Sequence, residues 1–254
     1  MELLRVKDIS ISFGGLKAVD SLSFDVREKE IYGIIGPNGA GKTTVFNIIS
    51  GFYKPDEGTV VIGDKDITRV KIDKIIHNGI ARTFQNVELF KHMTVIDNLL
   101  VGQHSATNYG VFSSMVMAPK VRRIEIEKKK RAMEILEFLE LTSYSSHYVN
   151  NLPYGVQKLL ELGRALISNP RVLLLDEPAA GMNETETKLL AERIRKIRDE
   201  LNLTIILVEH DMSLVMDICD RITAMSFGKK IGEGTPEDIQ RNPVVIEAYL
   251  GEEI

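Results

Sequence analysis

Apolar residues along this chain recur in two rhythms. Towards the N-terminus they form short runs rich in β-branched and aromatic residues, at 3–11, 22–26, 30–35 and 59–62. Each run is broken by Gly, Asp or charged turns, a pattern that predicts strands. A helix is expected from near Gly41, with Phe46, Ile48 and Ile49 to bury. From Thr94 to Leu141 the pattern is mostly helical, with Ile135, Leu136, Leu139 and Leu141 at helical spacing. The cluster Lys128-Lys129-Lys130-Arg131 there reads as a solvated helix face. Residues 105–119 are loop-like and carry Tyr109, Phe112, Met115 and Met117, which suits a locally packed loop or a partner contact. A helix is expected from Pro153 to about Ser168, because a residue ahead of a proline such as Pro170 disfavours helical geometry. Then a strand (172–175), a helix (184–201), a strand (204–208) and a helix (212–219) alternate. That alternation is the mark of βαβ units in a parallel sheet.

The 254 residues are 44% hydrophobic, enough for one large domain or a core with a lobe. The net charge of −4 gives no general attraction to nucleic acid. Cys219 is the sole cysteine, which excludes an intrachain disulfide framework and fits a reducing compartment. No run approaches the roughly 18–20 apolar residues that cross a bilayer. Residues 1–5 lack the basic start and long apolar core of a secretory signal. The expectation is a cytoplasmic protein without direct membrane insertion, any membrane connection coming through a partner.

Gly36-Pro37-Asn38-Gly39-Ala40-Gly41-Lys42-Thr43 fits G-x-x-x-x-G-K-[ST] in full, after an apolar run and ahead of the expected helix. Glycines let successive backbone N–H groups converge on phosphate oxygens, where side chains would strain the loop or block approach. The helix adds its positive N-terminal end. In such a loop Lys42 reaches the β- and γ-phosphates, the Thr43 hydroxyl ligates Mg²⁺ and Thr44 extends the hydroxyl pair. Val172-Leu173-Leu174-Leu175-Asp176-Glu177 carries Asp176 to the C-terminal end of an apolar strand, where ligands of parallel sheets bind. Asp176 is expected to hold Mg²⁺ through water, and Glu177 to polarise the attacking water.

Many P-loop proteins share those two segments, and other motifs narrow the class. Leu152-Pro153-Tyr154-Gly155-Val156-Gln157 resembles the L-S-G-G-Q signature of ABC ATPases. Gln85 follows Arg82-Thr83-Phe84 where that family has its Q-loop glutamine. His210 follows Leu207-Val208-Glu209 where it has its switch histidine. Ala180-Gly181-Met182-Asn183 fills the D-loop slot, and Phe13 stands where an aromatic residue stacks on adenine. In this order, from Phe13 to His210, the motifs make nearly the whole chain similar to an ABC ATPase.

The resemblance implies an α/β fold. A P-loop NTPase core with a mixed or parallel sheet and flanking helices would carry an N-terminal antiparallel β subdomain and an inserted α-helical subdomain. The single ABC ATPase domain would divide into a nucleotide-binding core (about 1–86 and 169–254) and a helical signature subdomain (about 87–168). It also implies a head-to-tail dimer, a homodimer or a heterodimer with a second ABC ATPase, each ATP lying between the P-loop of one copy and Gly155 of the other. Gln85 would join Thr43 and Asp176 around Mg²⁺, and Gln85 and His210 would sense the γ-phosphate beside Glu177 and Lys42. Two departures stand out: Pro153 replaces the signature serine and Val156 its glutamine, with Gln157 and Lys158 as partial substitutes. A functional but slow ATPase is expected.

The Tyr154-Gly155 form of the signature, residues 80–86, residues 179–183 and the ending at 242–251 resemble the ATPases of branched-chain amino-acid importers, as does the extended stretch 103–123. That likeness implies two integral membrane permease subunits, a peripheral place on the inner face of the cell membrane and no nucleic acid. Residues 86–100, with Val87, Leu89, Phe90, Met93, Val95 and Ile96, would meet a permease helix, so charging Phe90 or Val95 is expected to uncouple transport. The alternative is a soluble ABC-class ATPase that serves protein or cofactor assembly without a permease.

Overall fold

A computed structural model describes residues 1–85, 87–104 and 119–250. Asn86 and residues 105–118, with the Tyr109, Phe112, Met115 and Met117 patch, lie outside the described residues. The chain forms two compact units, Met1–Gln85 with Arg171–Ile254, and Asn86–Pro170.

The first unit opens with β1 (Glu2–Phe13), β2 (Leu16–Arg27), β3 (Ile31–Ile35), α1 (Lys42–Ile49), β4 (Glu57–Ile62), β5 (Lys65–Asp66), α2 (Ile72–Ile75) and β6 (Ile80–Arg82). The second unit contributes α3 (Val95–His104), α4 (Pro119–Phe138) and α5 (Tyr154–Leu166). The first then resumes with β7 (Val172–Asp176), α6 (Glu184–Leu201), β8 (Thr204–Val208), α7 (Met212–Ile218), β9 (Arg221–Ser226), β10 (Lys229–Gly234), α8 (Pro236–Gln240) and α9 (Pro243–Leu250).

Strands β2-β1-β4-β5 make an antiparallel sheet, and a second sheet has the order β10-β9-β3-β8-β7-β6. In the second, β9, β3, β8, β7 and β6 run parallel and β10 closes one edge antiparallel. All five residues of β3, β7 and β8 are buried, as for strands covered on both faces. Their register fixes the site. Ile34 pairs with Val208, and Val208 with Asp176, so the three strands end level. Leu4, Val6, Ile9, Leu22 and Phe24 of the antiparallel sheet share one core with Val45, Phe46 and Ile49 of α1 and with Ile206 and Val208.

In the second unit, α5 comes close to its neighbours at Gly163. A Cβ there would stand 3.0 Å from Leu139, 3.3 Å from Leu99 and 3.4 Å from Ile135. Asn98, fully buried, donates Nδ2 to the Phe90 and Thr94 carbonyls and accepts the Phe90 N–H, all within 3.1 Å. That clamp leaves Phe90 half exposed.

Several expectations are corrected. The helix predicted from Pro153 starts at Tyr154, with Pro153 as its N-cap, and ends at Leu166 rather than Ser168. Strands β6, β9 and β10 have no clear apolar alternation; β10 reads Lys-Lys-Ile-Gly-Glu-Gly and is a strand because β9 pairs with it. Val95 and Leu89 are core residues, Val95 with no exposed surface. A charge at Val95 would disrupt the helical unit rather than probe a surface, so Val95 is withdrawn as a permease contact.

Candidate active site

The loop after β3 holds its shape through glycines that no other residue can replace. Gly36 has φ 153° and a Cβ there would lie 2.2 Å from the Met225 carbonyl oxygen. Gly41 has φ 98°, and its Cβ would lie 2.5 Å from the Ala18 carbonyl oxygen. Gly41 is also the N-cap of α1, with no side-chain cap and no acidic residue in the first turn. The orphan N–H groups of that turn therefore have no internal anion competing for them. Lys42 is buried and its Nζ donates to the carbonyls of Gly36 (2.6 Å) and Pro37 (2.9 Å), which holds the ammonium over the loop.

Above the loop lies a cleft of about 720 Å³. Asn38, Gly39, Ala40, Gly41, Lys42, Thr43 and Thr44 line it, together with Glu177 and His210. Strand register explains the meeting: β7 and β8 end level with β3, so the residues that follow them emerge beside the P-loop. The Glu177 carboxylate is held from both sides. Gln85 Nε2 donates to Oε2 at 2.6 Å, and His210 Nε2 lies 2.8 Å from Oε1. An imidazole bearing its proton on Nε2 donates to that oxygen. Glu177 itself has φ 46°, a left-handed conformation unusual for its type, and its N–H donates to the Val208 carbonyl at 2.9 Å.

Glu209, between β8 and His210, is buried and its carboxylate accepts three backbone N–H groups. One carboxylate oxygen accepts the Ala179 N–H (2.7 Å), the other those of His210 (2.9 Å) and Asp211 (3.2 Å). Burial pushes its carboxyl above the ordinary value, against the pull of those three N–H groups and with a push from the nearby Glu177 charge. Asp176 is nearly buried, and its Oδ2 accepts from Arg82 at 2.7 Å.

Other expected residues lie apart. Phe13 does not line the cleft; it is half exposed and meets Tyr53 edge-on, ring centroids 5.1 Å apart. Gly36, Pro37, Gln85 and Asp176 shape the surroundings without lining the cleft. Gly155 is the second residue of α5, in the helical unit, where Gln157 donates its amide to the Leu152 carbonyl at 2.9 Å. That internal bond occupies one of the Gln157 amide hydrogens. Lys158 is buried, with its ammonium 5.9 Å from the Tyr154 ring centre.

Sequence reasoning missed one wall of the cleft, formed by Leu16, Lys17, Asp20, Phe227 and Lys229. Asp20 takes Lys17 Nζ at 2.5 Å and Lys229 Nζ at 3.3 Å, and these bonds, Lys17 first, hold its carboxyl below the usual range. The Phe227-Gly228 turn joins β9 to β10 and is tied to the P-loop by Gly228 N–H to the Ala40 carbonyl (3.0 Å). The signal in the sequence was an aromatic residue within the polar run Ser226-Phe227-Gly228-Lys229-Lys230; its ring is 90% exposed.

The oxygens of Thr43, Asp176 and Gln85 are hard donors of the kind that suit Mg²⁺. Among the described residues no group of three or more His, Cys, Asp or Glu could hold a metal. A metal bound here would take most of its ligands from phosphate and water, as Mg²⁺ at nucleotide sites does.

A glycine loop on a parallel sheet with a carboxylate level with it defines a P-loop nucleotide-binding protein, and the glutamine and histidine that hold that carboxylate narrow it to an ATPase of the ATP-binding cassette class. The chain belongs to the ABC transporter family, whose profile matches residues 19–180, and residues 229–254 match that of the branched-chain amino acid ATP-binding cassette transporters. It is 48% identical, over 98% of both chains, to the high-affinity branched-chain amino acid transport ATP-binding protein LivG of Salmonella typhimurium. Its fold is similar to the ADP conformation of MJ1267, an ATP-binding cassette of an ABC transporter (TM-score 0.86, 34% identity, 99% of each chain). It is also similar to the ATP-binding cassette MJ0796 in a dimeric post-hydrolysis state bound to ADP and Pi (TM-score 0.74, 25% identity, 92% of this chain and 99% of that one).

Proposed function

We propose that this chain is the ATP-hydrolysing subunit of an importer for branched-chain amino acids, one of two cassettes that drive two integral permease subunits. The observation that carries the catalytic part is the Glu177 carboxylate, gripped by Gln85 and His210 at the rim of the P-loop cleft. The solute rests on the likeness to LivG and on the matched segment 229–254. Among the described residues no helix is long and apolar enough to cross a membrane, so attachment to the inner face of the membrane would come through the permeases. Phe90, Met93 and Tyr148, all exposed in the helical unit, offer an apolar contact for them.

In this reading the P-loop N–H groups and Lys42 bind the phosphates of ATP. Mg²⁺, held by Thr43, Asp176 and Gln85, would offset charge that builds on the phosphoryl oxygens. Glu177 accepts a proton from the attacking water, with Gln85 and His210 fixing its orientation. Phe13 remains the adenine contact by family likeness. Gly155, at the positive end of the thirteen-residue α5, meets the γ-phosphate bound by the second copy. The inserted helical unit and the β-sheet core then act as arms of one ATPase domain.

Glu177→Gln tests the reading. Hydrolysis should fall by about 10²–10⁴-fold while ATP affinity is kept, and the ATP-loaded variant should run as a dimer in light scattering. Hydrolysis close to wild type, or a monomer under saturating ATP, would overturn it.

A further inference from the structure

Arg82 is the last residue of β6, three positions ahead of Gln85, and its side chain is 7% exposed. Both terminal nitrogens of its guanidinium are bound. One nitrogen donates to Asp176 Oδ2 (2.7 Å), the other to Asn47 Oδ1 and Ser50 Oγ (2.8 Å each), at the end of α1. The rings of Phe84, Phe52 and Phe46 surround it, with centroids at 5.1, 5.5 and 5.7 Å. Nε is buried and has no hydrogen-bond partner among the described residues. A planar fork serving three acceptors at once is what arginine provides and lysine does not.

The pairing has a geometric result. Segment 82–85 takes hold of two consecutive carboxylates, Arg82 that of Asp176 and Gln85 that of Glu177. With Oδ2 engaged by Arg82, the orientation of the Asp176 carboxylate is set, and Oδ1 is the oxygen presented elsewhere. A partner that fixes a metal-binding carboxylate typically contributes 10–100-fold to metal affinity or activity.

We propose that Arg82 is a positioning residue for the divalent cation of this site: it pins Asp176 Oδ2 and leaves Oδ1 for the metal, using α1 and an aromatic cage as its own support. The inference rests on the reading of Asp176 as a Mg²⁺-holding residue, and the experiment separates the two.

Binding of a fluorescent ATP analogue would be titrated with and without Mg²⁺ in Arg82→Lys, Asn47→Ala and Asp176→Asn, and the Mg²⁺ concentration that half-activates hydrolysis measured alongside. Arg82→Lys keeps the charge and loses the fork. Its nucleotide affinity in EDTA should match wild type, while the affinity gained from Mg²⁺ falls about tenfold or more and the half-activating Mg²⁺ rises correspondingly. Asn47→Ala removes one support and leaves the ion pair, so it should move the same two quantities by a smaller factor, about threefold. Folding is followed by thermal unfolding. If Arg82→Lys folds with wild-type Mg²⁺ dependence, the proposal fails. If it does not fold, an Asn47→Ala variant indistinguishable from wild type in Mg²⁺ dependence sinks it equally. Should Asp176→Asn retain full Mg²⁺ dependence, the metal reading of Asp176 falls first and takes the proposal with it. Loss in Asp176→Asn without any change in Arg82→Lys leaves that reading standing and rejects the role of Arg82 alone.

Discussion

Pro153 occupies the N-cap of α5, where its ring supplies neither a hydroxyl nor an N–H. A serine there would cap the helix and put a donor beside Gly155. A hydrogen bond to a charged group contributes about 1.5–3 kcal/mol, about ten- to a hundredfold in rate. Pro153→Ser should therefore raise ATP turnover by about tenfold, read in a phosphate-release assay; turnover that stays level or falls would overturn this account of Pro153. Residues of this kind divide by how much the chain pattern shows of them. Lys42 and Glu177 are legible because a short motif fixes both their type and their place on a strand end. Arg82 and Glu209 are not: an arginine and a glutamate inside apolar stretches carry no mark of the bonds they make until Asp176 and Ala179 arrive from distant parts of the chain. Phe13 shows the opposite case, a residue read from family position whose ring lies against Tyr53.

Elements were legible in proportion to their independence. Helix α6 carries its own start signal, an Asn183 side chain that accepts the Glu186 N–H at 3.0 Å while the Glu186 carboxylate accepts the Asn183 N–H at the same distance. Its predicted bounds, 184–201, coincide with those observed. Asn183→Ala should cost about 1 kcal/mol, visible as a lower urea midpoint with unchanged slope; an unaltered midpoint would mean that packing of Leu190, Ile194 and Ile197 alone holds the helix. Strands β3, β7 and β8 were equally plain because fully buried parallel strands are apolar throughout. β9 and β10 were not, since an edge hairpin takes its stability from a neighbour that a local pattern does not reveal. The P-loop itself was legible as strand, glycine turn and helix in succession, whereas the hairpin turn at Phe227 that walls the same cleft was not.

Across the whole molecule, Cys219 gives a direct measure of integrity. It is the sole cysteine, buried, with Sγ packed so close to β3 that a Cβ on Gly33 would stand 3.0 Å from it. Burial pushes its thiol far above the ordinary value, so little thiolate forms near neutrality. Alkylation at neutral pH should be slower in the native protein than in urea by about a thousandfold or more, because it waits on unfolding, and ATP should slow it further. Rapid labelling of the native chain would show that the contact between α7 and β3 opens readily. Glu209 has a consequence on the same scale. Its two oxygens stitch the backbone at Ala179 to that at His210 and Asp211, so neither stretch shifts alone. A displacement of the histidine would pass across the C-terminal ends of β8 and β7 to Ala179 through this one carboxylate, as a bell-crank turns a pull at one arm into motion at the other.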